Sequence, residues 1–351
     1  MSHLTRNPLI GRNPLFGIAA LASSIALLAG CGASDDAASS TPSVEGFPVT
    51  LTNCGEQVSV DSPSQNIVSL NQGTTEVLLS LGLADRMAGT ATWTDPVLPS
   101  LAAANEKVKR IDDNWPSLEA VLAEEPDLVT ASFGSTFDKG GTAPRARFTE
   151  FGVPTYLAPS DCEGKEDTGG DGSRSTDFTL DLVYKEITEL GELTGTSDRA
   201  ADVVADLKNR VKSAADSVDA RGTTVLYWFS DSESPYIAGC CGAPGVVSKA
   251  LGLKNVFDDT HDEWPQIGWE EVANRNPQVL VIGNLTRDIQ SGESAQKKID
   301  FLESNPVTRE MDAVKNKRYI IATGAEMNPS LRTVYGIQNV ADGLNKLGLG
   351  T

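Results

Sequence analysis

Residues 176–218 read TDFTLDLVYKEITELGELTGTSDRAADVVADLKNRVKSAADSV, and this stretch decides how the chain is divided. Apolar residues recur through its first half at helical spacing and form one apolar stripe: Leu180, Val183, Ile187, Leu190 and Leu193. Gly195 interrupts this run, and Ser197 is a candidate N-cap for a second helix. Because a similar unit of sequence lies on each side of the stretch, we predict that a helix over 176–195 links two lobes.

The two flanking units carry the same residue types in the same order. Leu118-Glu119-Ala120-Val121 precedes Pro126-Asp127-Leu128-Val129 on one side, and Trp269-Glu270-Glu271-Val272 precedes Pro277-Gln278-Val279-Leu280 on the other. Glu, Val and Pro recur at one constant offset. In each unit a short helical pattern ends before Pro, and a β-rich apolar run follows it, which is the pattern of an α/β fold with a parallel sheet.

A second matched pair supports the repeat. Leu81-Gly82-Leu83 and Leu251-Gly252-Leu253 each close an apolar helical run. Ordinary helix–turn–strand punctuation does not explain two matched pairs in matched order, so we interpret them as two lobes of one architecture. Before the linking helix, residues 47–60 alternate around Cys54-Gly55 and predict a β-hairpin. Residues 163–175 are rich in Gly, Asp, Lys and Ser and predict a mobile loop.

The first thirty residues have the pattern of a targeting segment. Arg6 and Arg12 precede an apolar run over 15–29, and Leu28-Ala29-Gly30-Cys31 follows, as in a secretory signal. The ending resembles a bacterial lipobox, which would make Cys31 the lipidated first residue of the mature protein. A transmembrane anchor is the alternative, but the run is short and rich in Ala and Ser. We therefore expect a signal peptide over 1–30 and a small, polar, acidic tether over 31–45.

Charge and histidine content exclude several classes of protein. The formal charge is −19, and loss of Arg6 and Arg12 with the signal would lower it further. Such an acidic chain is not expected to bind nucleic acid. The chain has two histidines, and only His261 lies outside the signal, so a His-rich metal site is excluded. A Ser-His-Asp triad has no nucleophile motif to support it, and we interpret His261 as a solvated loop residue.

Four cysteines remain once Cys31 carries a lipid. An even number in an exported protein predicts two disulfides, with three possible connectivities. We favour Cys54–Cys162 and a vicinal Cys240–Cys241 bridge, although a pair of free buried thiols remains open for Cys240 and Cys241. Zinc binding by adjacent cysteines is not expected without a histidine or a further cysteine pair. No metal ligand is predicted.

The order of the segments resembles that of a known family. A predicted strand leads into Leu70-Asn71-Gln72-Gly73-Thr74-Thr75-Glu76, then a helix and Leu81-Gly82-Leu83, and the Leu118 and Pro126 segments follow. This order resembles the substrate-binding proteins of bacterial ABC importers for ferric siderophores, haem and cobalamin. The resemblance covers nearly all of the mature chain. It implies two α/β lobes, N-terminal over 46–175 and C-terminal over 196–351, with parallel-rich sheets, a single long linking helix and a ligand cleft between them.

The resemblance also implies partners and a place in the cell. Members of this family are monomeric binding proteins rather than enzymes, held outside the cytoplasm, and the lipid on Cys31 would anchor this one to the membrane. They deliver a small molecule to a permease and its ATPase. One surface glutamate per lobe meets arginines of the permease, and the motif match assigns this role to Glu119 and Glu270. The alternative is that both are first-turn acids that the helix dipole favours.

Ligand residues carry over weakly, so we choose candidates from polar and aromatic residues near strand ends. Aromatic faces suit a flat or chelate-shaped ligand, and an arginine suits an anionic one. For each residue alone, core packing is an equally open interpretation. The candidates are Gln72, Thr74, Trp93, Phe133, Trp228, Tyr236, Trp264, Arg332 and Tyr335. The pair Trp228 and Tyr236, around Cys240-Cys241-Gly242, is the first cluster to test.

The residue types favour an intact metal chelate as the ligand. The scarcity of histidine argues against haem ligated through His and against iron held directly by protein groups, and no cofactor is expected. We therefore expect a ferric siderophore, with cobalamin or haem as alternatives in the same class. A thiol/disulfide enzyme using Cys240 and Cys241 is the alternative from another class, but no general base or Cys-x-x-Cys arrangement is visible.

Overall fold

The computed structural model describes residues 44–166, 172–285 and 294–350. The expected signal peptide over 1–30, Cys31 and most of the expected tether lie outside the described residues. Within the described ranges, no helix combines the length and the hydrophobicity needed to cross a bilayer.

The N-terminal lobe opens with an antiparallel hairpin of β1 (Val49–Asn53) and β2 (Glu56–Val60). The turn lies at Cys54-Gly55, where both residues have positive φ, 51° and 81°. Glycine enters this left-handed region without a steric penalty, which explains why the turn forms here. The predicted hairpin is confirmed.

A four-stranded parallel sheet forms the centre of this lobe. Its strands lie in the order β4-β3-β5-β6. They are β3 (Ile67–Ser69), β4 (Met87–Thr90), β5 (Leu128–Ala131) and β6 (Thr155–Leu157). The helices are α1 (Gln72–Ser80), α2 (Ala102–Asn105), α3 (Leu118–Leu122) and α4 (Arg145–Glu150). Every residue of β3, β5 and β6 is buried, as expected for parallel strands covered on both faces.

The predicted mobile loop over 163–175 is ordered at both described ends. Two short antiparallel strands, β7 (Lys165–Glu166) and β8 (Ser173–Arg174), pair there, while residues 167–171 lie outside the described part. The sequence analysis predicted a mobile loop here and did not predict these two short strands. Composition alone did not reveal a hairpin because neither strand carries an apolar alternation.

Two consecutive helices follow, α5 (Leu180–Thr194) and α6 (Ser197–Asp216). In the predicted apolar stripe of α5, Val183, Ile187, Leu190 and Leu193 are buried and Leu180 is half-buried. Gly195 ends the helix with φ 67°. The helix begins at Leu180 rather than at residue 176, with Thr179 as its N-cap. Ser197 is the first residue of α6 and not its cap, since Thr196 occupies that position.

These two helices lie where the lobes meet. The side chains of α5 complete the core of the N-terminal lobe, and α6 packs against α5. The same core cluster continues to three residues of the C-terminal lobe, Ala243, Leu331 and Val334. The lobes are therefore connected by packed apolar side chains as well as by the chain itself.

The C-terminal lobe contains a five-stranded sheet. Its strands are β9 (Thr224–Ser230), β10 (Tyr236–Ile237), β11 (Lys254–Asn255), β12 (Val279–Asn284) and β13 (Tyr319–Thr323). Its helices are α7 (Ala243–Leu251), α8 (Trp269–Arg275), α9 (Ala295–Ser304), α10 (Asp312–Lys315) and α11 (Arg332–Lys346). The order is β10-β9-β12-β13, with β11 also on β9, and β10 alone is antiparallel. The sequence analysis identified no helix at α9.

The strand order confirms the internal repeat. In the N-terminal lobe the parallel strands run β4-β3-β5-β6, and in the C-terminal lobe β11-β9-β12-β13. Helix α1 connects β3 to β4 as α7 connects β9 to β11, and α3 precedes β5 as α8 precedes β12. Gly82 and Gly252, in the two matched Leu-Gly-Leu segments, both have left-handed φ, 80° and 69°. The matched sequence units thus occupy matched places in the two sheets.

Both predicted disulfides are present. Cys54–Cys162 joins the first hairpin to the segment after β6, with 5.6 Å between the two Cα atoms. Cys240 and Cys241 are bonded to each other in the turn before α7. The first bridge joins distant parts of the N-terminal lobe, whereas the second constrains one peptide unit.

Candidate functional site

A cleft of about 480 Å³ opens between the two lobes. The segments that follow β5 and β6 line it on one side, and the loop before α8 and the segment after β13 line it on the other. The N-terminal lining is Phe133, Gly134, Ser135, Asp138, Asp161, Cys162, Lys165 and Gly172, and the C-terminal lining is Glu263, Trp264, Asn328 and Pro329. These positions follow the general rule that α/β sheets bind ligands beyond the carboxyl ends of their strands.

An aromatic side chain from each lobe lines this cleft. Phe133 and Trp264 are both half-buried. Trp264 is held by Phe229, with 4.9 Å between the ring centroids. An aromatic side chain from each lobe gives a bound molecule apolar contact on both sides.

A network of alternating charges lies along the cleft. Lys165 Nζ lies 2.5 Å from Asp161 Oδ1 and 3.6 Å from Glu263 Oε2. The buried Arg174 forms an ion pair with Glu263 from behind, 2.5 Å from Nε to Oε1. Burial lowers the pKa of Lys165, but Asp161 and Glu263 raise it more, so the pKa lies above its ordinary value. Asp138 is exposed and forms no ion pair with any described residue.

Behind the cleft the lobes are joined by a buried ion pair, which we call the junction. Arg332 Nε and Nη2 donate to the two carboxylate oxygens of Glu76, each over 2.7 Å. Arg332 also donates to the carbonyl oxygen of Pro96. The side chains of Arg332 and Glu76 are only 6 % and 0 % exposed. Asp95 Oδ2 accepts the backbone N–H of Ala325 over 2.7 Å, and burial raises the pKa of Asp95. The junction therefore holds the lobes together through charge-assisted hydrogen bonds.

Residues 67–326, most of the chain, match the periplasmic binding protein family. The chain belongs to the periplasmic binding protein family. This family match confirms the prediction of a two-lobed α/β binding protein. It also confirms the prediction that the protein is not an enzyme.

Individual relatives agree with this assignment. An uncharacterized ABC transporter substrate-binding lipoprotein of Bacillus subtilis, YvrC, is 25% identical over 334 residues, covering 93% of this chain and 95% of the relative. The vitamin B12-binding protein of Vibrio campbellii is 26% identical over 223 residues, covering 63% of this chain and 71% of the relative. A crystal structure of a periplasmic binding protein from Veillonella parvula aligns with TM-score 0.73 at 27% identity, covering 85% of this chain and 97% of the other.

In this periplasmic binding protein, four of the predicted ligand residues lie at the cleft or the junction. Phe133 and Trp264 line the cleft. Gln72 and Arg332 border a small cavity of about 50 Å³ at the junction. The Oε1 atom of Gln72 accepts hydrogen bonds from the backbone N–H groups of Thr94 and Asp95. Because Glu76 neutralises Arg332, the predicted role of Arg332 as a partner for an anionic ligand does not fit its contacts.

Trp228 and Thr74 lie in the interior, not in the cleft. Trp228 is 1 % exposed and packs edge-on against Trp269, with 4.7 Å between centroids. Its Nε1 donates to the carbonyl oxygens of Ser230 and Asp231. Thr74 is fully buried and hydrogen-bonds Ser69. Trp228 lies within strand β9 and not beyond its end, which corrects its selection as a ligand candidate near a strand end.

The other three candidates are half-buried elsewhere. Trp93 lies beneath the guanidinium of Arg110, with 4.5 Å between Cζ and the ring centroid. Tyr335 lies beneath Arg210 of α6 at 5.3 Å. Tyr236 pairs within β10 at the edge of the sheet. The expected cluster of Trp228, Tyr236 and the vicinal cysteines is therefore not assembled in the cleft.

Charged residues that the sequence analysis did not select contribute much of the cleft. Asp161, Lys165 and Glu263 form its network, and Asp138 is its free acid. Two positions in the sequence could have indicated these residues. Asp138 follows the polar segment after β5, and Glu263 is next to the candidate Trp264. Residue type alone gave no indication, because isolated charges usually mark solvated surface.

The two glutamates predicted to meet a permease occupy equivalent places. Glu119 is the second residue of α3 and Glu270 the second of α8, and both are exposed. No described cation lies within ion-pair distance of either, whereas the adjacent Glu271 pairs with Arg275 over 2.8 Å. The pKa of Glu119 is lowered by its own backbone N–H and by the Ser117 hydroxyl. Each lobe thus presents one unpaired carboxylate at matched positions.

Proposed function

We propose that this chain is the substrate-binding lipoprotein of an ABC importer, anchored outside the cytoplasm through Cys31, and that it captures a ferric siderophore-type chelate in the cleft. The observation that carries the proposal is the cleft itself, which is lined by both lobes and has one aromatic wall from each. The name of the Bacillus subtilis relative supports the importer role.

The lining favours a complete chelate over a bare metal ion. Asp161 and Glu263 are already bound to Lys165 and Arg174, and neither tyrosine nor histidine occurs among the described residues of the lining. Ferric ion held directly by a protein needs several hard oxygen ligands that are free to bind it. A siderophore supplies its own oxygens, so the protein has only to enclose it.

The charges favour a neutral or cationic chelate. Within the described lining Lys165 is the only cation, and it is shared between Asp161 and Glu263. At the junction Arg332 is equally committed to Glu76. An anionic chelate would lose hydration without gaining a countercharge, which is unfavourable. Ferric hydroxamates are neutral or cationic and fit, whereas strongly anionic ferric catecholates do not.

Cobalamin is the second candidate. A relative named as a vitamin B12-binding protein shares 26% identity with this chain. Cyanocobalamin carries no net charge, so the same lining accommodates it electrostatically. The absence of histidine from the described lining disfavours a haem held through an axial His ligand.

Binding titrations discriminate these ligands. Tryptophan fluorescence of the mature protein is followed with ferrioxamine B, ferric enterobactin, cyanocobalamin and haemin. We expect ferrioxamine B to bind at least about tenfold more tightly than ferric enterobactin. Binding of cyanocobalamin alone would support the second candidate, and tighter binding of ferric enterobactin would contradict the charge argument. If none of the four binds and native mass spectrometry of protein from its host shows no co-purifying chelate, the proposed ligand class is wrong.

The free carboxylate of Asp138 provides a direct test of charge selection. Asp138→Asn removes the unpaired acid of the cleft, so affinity for the cationic chelate ferrioxamine B should fall severalfold, while affinity for a neutral ferric hydroxamate should not change. Asp202→Asn, on the exposed face of α6, is the matched control. Equal effects of Asp138→Asn on both chelates would show that Asp138 does not sense ligand charge.

We also propose that Glu119 and Glu270 dock on cationic side chains of the permease. Their support is the equivalence of the two positions and the lack of a described cation within ion-pair distance of either carboxylate. Unpaired charges that meet a complementary surface steer association.

A further inference from the structure

A second cluster of metal-binding side chains lies outside the cleft. The Sγ atoms of Cys240 and Cys241 and a ring nitrogen of His261 all lie within 4.8 Å of one another. Cys241 Sγ is 3.6 Å from His261 Nδ1. None of the three residues belongs to the cleft lining. Because the cysteines precede α7 and His261 lies in the loop before α8, the fold, and not the local sequence, brings them together.

His261 is held in place by its neighbour Arg174. The backbone N–H of Arg174 donates to the carbonyl oxygen of His261 over 2.9 Å. In return, His261 Nδ1 lies 3.0 Å from the carbonyl oxygen of Arg174. A carbonyl oxygen can only accept, so Nδ1 carries the proton in this arrangement. Nδ1 is also the ring nitrogen that faces Cys241 Sγ, so a metal bound through it would take the place of this proton, which would move to Nε2.

The sulfur pair is reachable from solvent. Cys240 is partly exposed and His261 is exposed, while Cys241 is buried. Both cysteines also line a cavity of about 350 Å³ between the start of α5 and α7. Phe178, Leu180 and Val246 form much of its apolar wall. A small reductant or an ion can therefore approach the sulfurs without entering the cleft.

We propose that Cys240, Cys241 and His261 form a redox-gated site for a soft d¹⁰ metal ion, Cu(I) or Zn(II). Two thiolates and one neutral imidazole are the ligands that such ions prefer. While Cys240 and Cys241 are bonded to each other, neither sulfur is a thiolate, and the site is closed. This site is independent of the ligand assigned to the cleft.

Opening the site requires an external dithiol, such as a thiol–disulfide oxidoreductase of the extracytoplasmic space. One thiolate of the dithiol attacks a sulfur of the Cys240–Cys241 bond and forms a mixed disulfide, and its second thiol then releases the protein. The protein disulfide gains two electrons and two protons and becomes two thiols, while the dithiol is oxidised to its own disulfide. Metal binding then displaces both thiol protons.

The test uses the full mature chain with Cys31→Ser, which leaves only the four paired cysteines. Protein is reduced with a phosphine under nitrogen, desalted, and titrated with Cu(I) against bicinchoninate and with Zn(II) against a chromophoric chelator. Alkylation and mass spectrometry identify which cysteines are reduced. We expect one equivalent of metal to bind the protein in which Cys240 and Cys241 are thiols, and none to bind the oxidised protein.

Three variants complete the design. His261→Ala should weaken binding by at least about tenfold, and Cys240→Ser/Cys241→Ser should abolish it. Asp262→Ala, beside His261 on the same exposed loop, is the matched control and should bind as the parent does. Circular dichroism checks that each variant is folded. Failure of the reduced parent to bind either ion, or unchanged affinity in folded His261→Ala, would overturn the proposal.

Discussion

The junction and the cleft both contain opposite charges contributed by the two lobes, but they differ in their exposure to solvent. At the junction, Glu76 and Arg332 are almost completely buried and bind each other through two hydrogen bonds. In the cleft, Lys165 is 19 % exposed and divides its charge between two acids. Ion pairs of similar residues therefore have two different roles in this molecule. The fully buried pair fixes how the lobes meet, while the partly exposed network lines the cleft that has room for a ligand.

The largest effect is expected from breaking the junction. Glu76→Gln removes the carboxylate that accepts two of the guanidinium hydrogen bonds of the buried Arg332, so the free energy of unfolding should fall by about 3 kcal/mol. The double variant Glu76→Gln/Arg332→Met should lose less than the sum of the two single variants, because no charge is then left unpaired. Urea unfolding measures all three. Additive losses would show that the two side chains do not depend on each other.

Glu186 extends the comparison of buried charges, because it is a buried carboxyl group with no described cation within ion-pair distance. Glu186 of α5 is buried, its Oε1 has no hydrogen-bond partner among the described residues, and burial raises its pKa to about 8. Between pH 4.5 and 8 the folded state therefore binds a proton that the unfolded chain releases, so the free energy of unfolding falls as pH rises through this window. Glu186→Gln should remove this loss and be more stable than the parent above pH 8, by on the order of a few kcal/mol.

The control for this prediction lies on the same helix. Glu192 is exposed, and Glu192→Gln should leave the dependence of stability on pH unchanged. Urea unfolding at pH 5, 7 and 9 gives the comparison. A parallel pH profile for Glu186→Gln and the parent would mean that Glu186 is ionised in the folded protein at neutral pH.

Two tryptophans separate binding from stability. Trp264→Ala removes the C-terminal aromatic wall of the cleft, so chelate affinity should fall about tenfold while stability changes little. Trp228→Phe alters the core of the C-terminal lobe, so it should lower stability and leave affinity unchanged. Isothermal titration and urea unfolding test both variants. Loss of affinity in Trp228→Phe without loss of stability would return Trp228 to the ligand site.

The unpaired glutamates test the outer surface. Glu119→Ala and Glu270→Ala should each leave chelate affinity unchanged and reduce uptake by cells to roughly half or less, since rim charges act mainly on association with a partner. Glu271→Ala, at the next position of α8, is the matched control and should transport normally. A weaker chelate affinity in either purified variant would argue against docking.

The smallest effect is expected in the shape of the molecule. The junction and the shared apolar core hold the lobes, so ligand binding should change the radius of gyration by no more than about 1 Å. Small-angle scattering with and without ferrioxamine B measures this. A larger compaction would indicate that the junction opens in the free protein.

Local periodicity predicted the fold because periodicity is a property of neighbouring residues. The stripe on α5 and the repeated Leu-Gly-Leu segments were sufficient to identify two α/β lobes. Trp228 and Trp264 could not be separated in this way, because residue type gave both the same interpretation. The pairing of β9 with β12 and β10 carries the strand through Trp228, which is buried, whereas Trp264 lies in the loop before α8 and lines the cleft.

Long-range contacts account for the rest of what the sequence did not reveal. Glu76 and Arg332 are 256 positions apart in the sequence, and neither has a neighbour in sequence that indicates the other. His261 was interpreted as an isolated loop residue, yet the fold places it beside Cys241. In both cases the partner is chosen by the packing of sheets, which no local pattern encodes.

The disulfide between Cys54 and Cys162 has a mechanical consequence. It closes a covalent loop that contains β3, β4, β5 and β6, the entire sheet of the N-terminal lobe. Tension applied at the N-terminus reaches Cys54 after the first strand and passes through the sulfur–sulfur bond to the rim of the cleft. A pull applied ahead of Cys54 is thus carried by covalent bonds, and the four parallel strands within the loop are shielded from it.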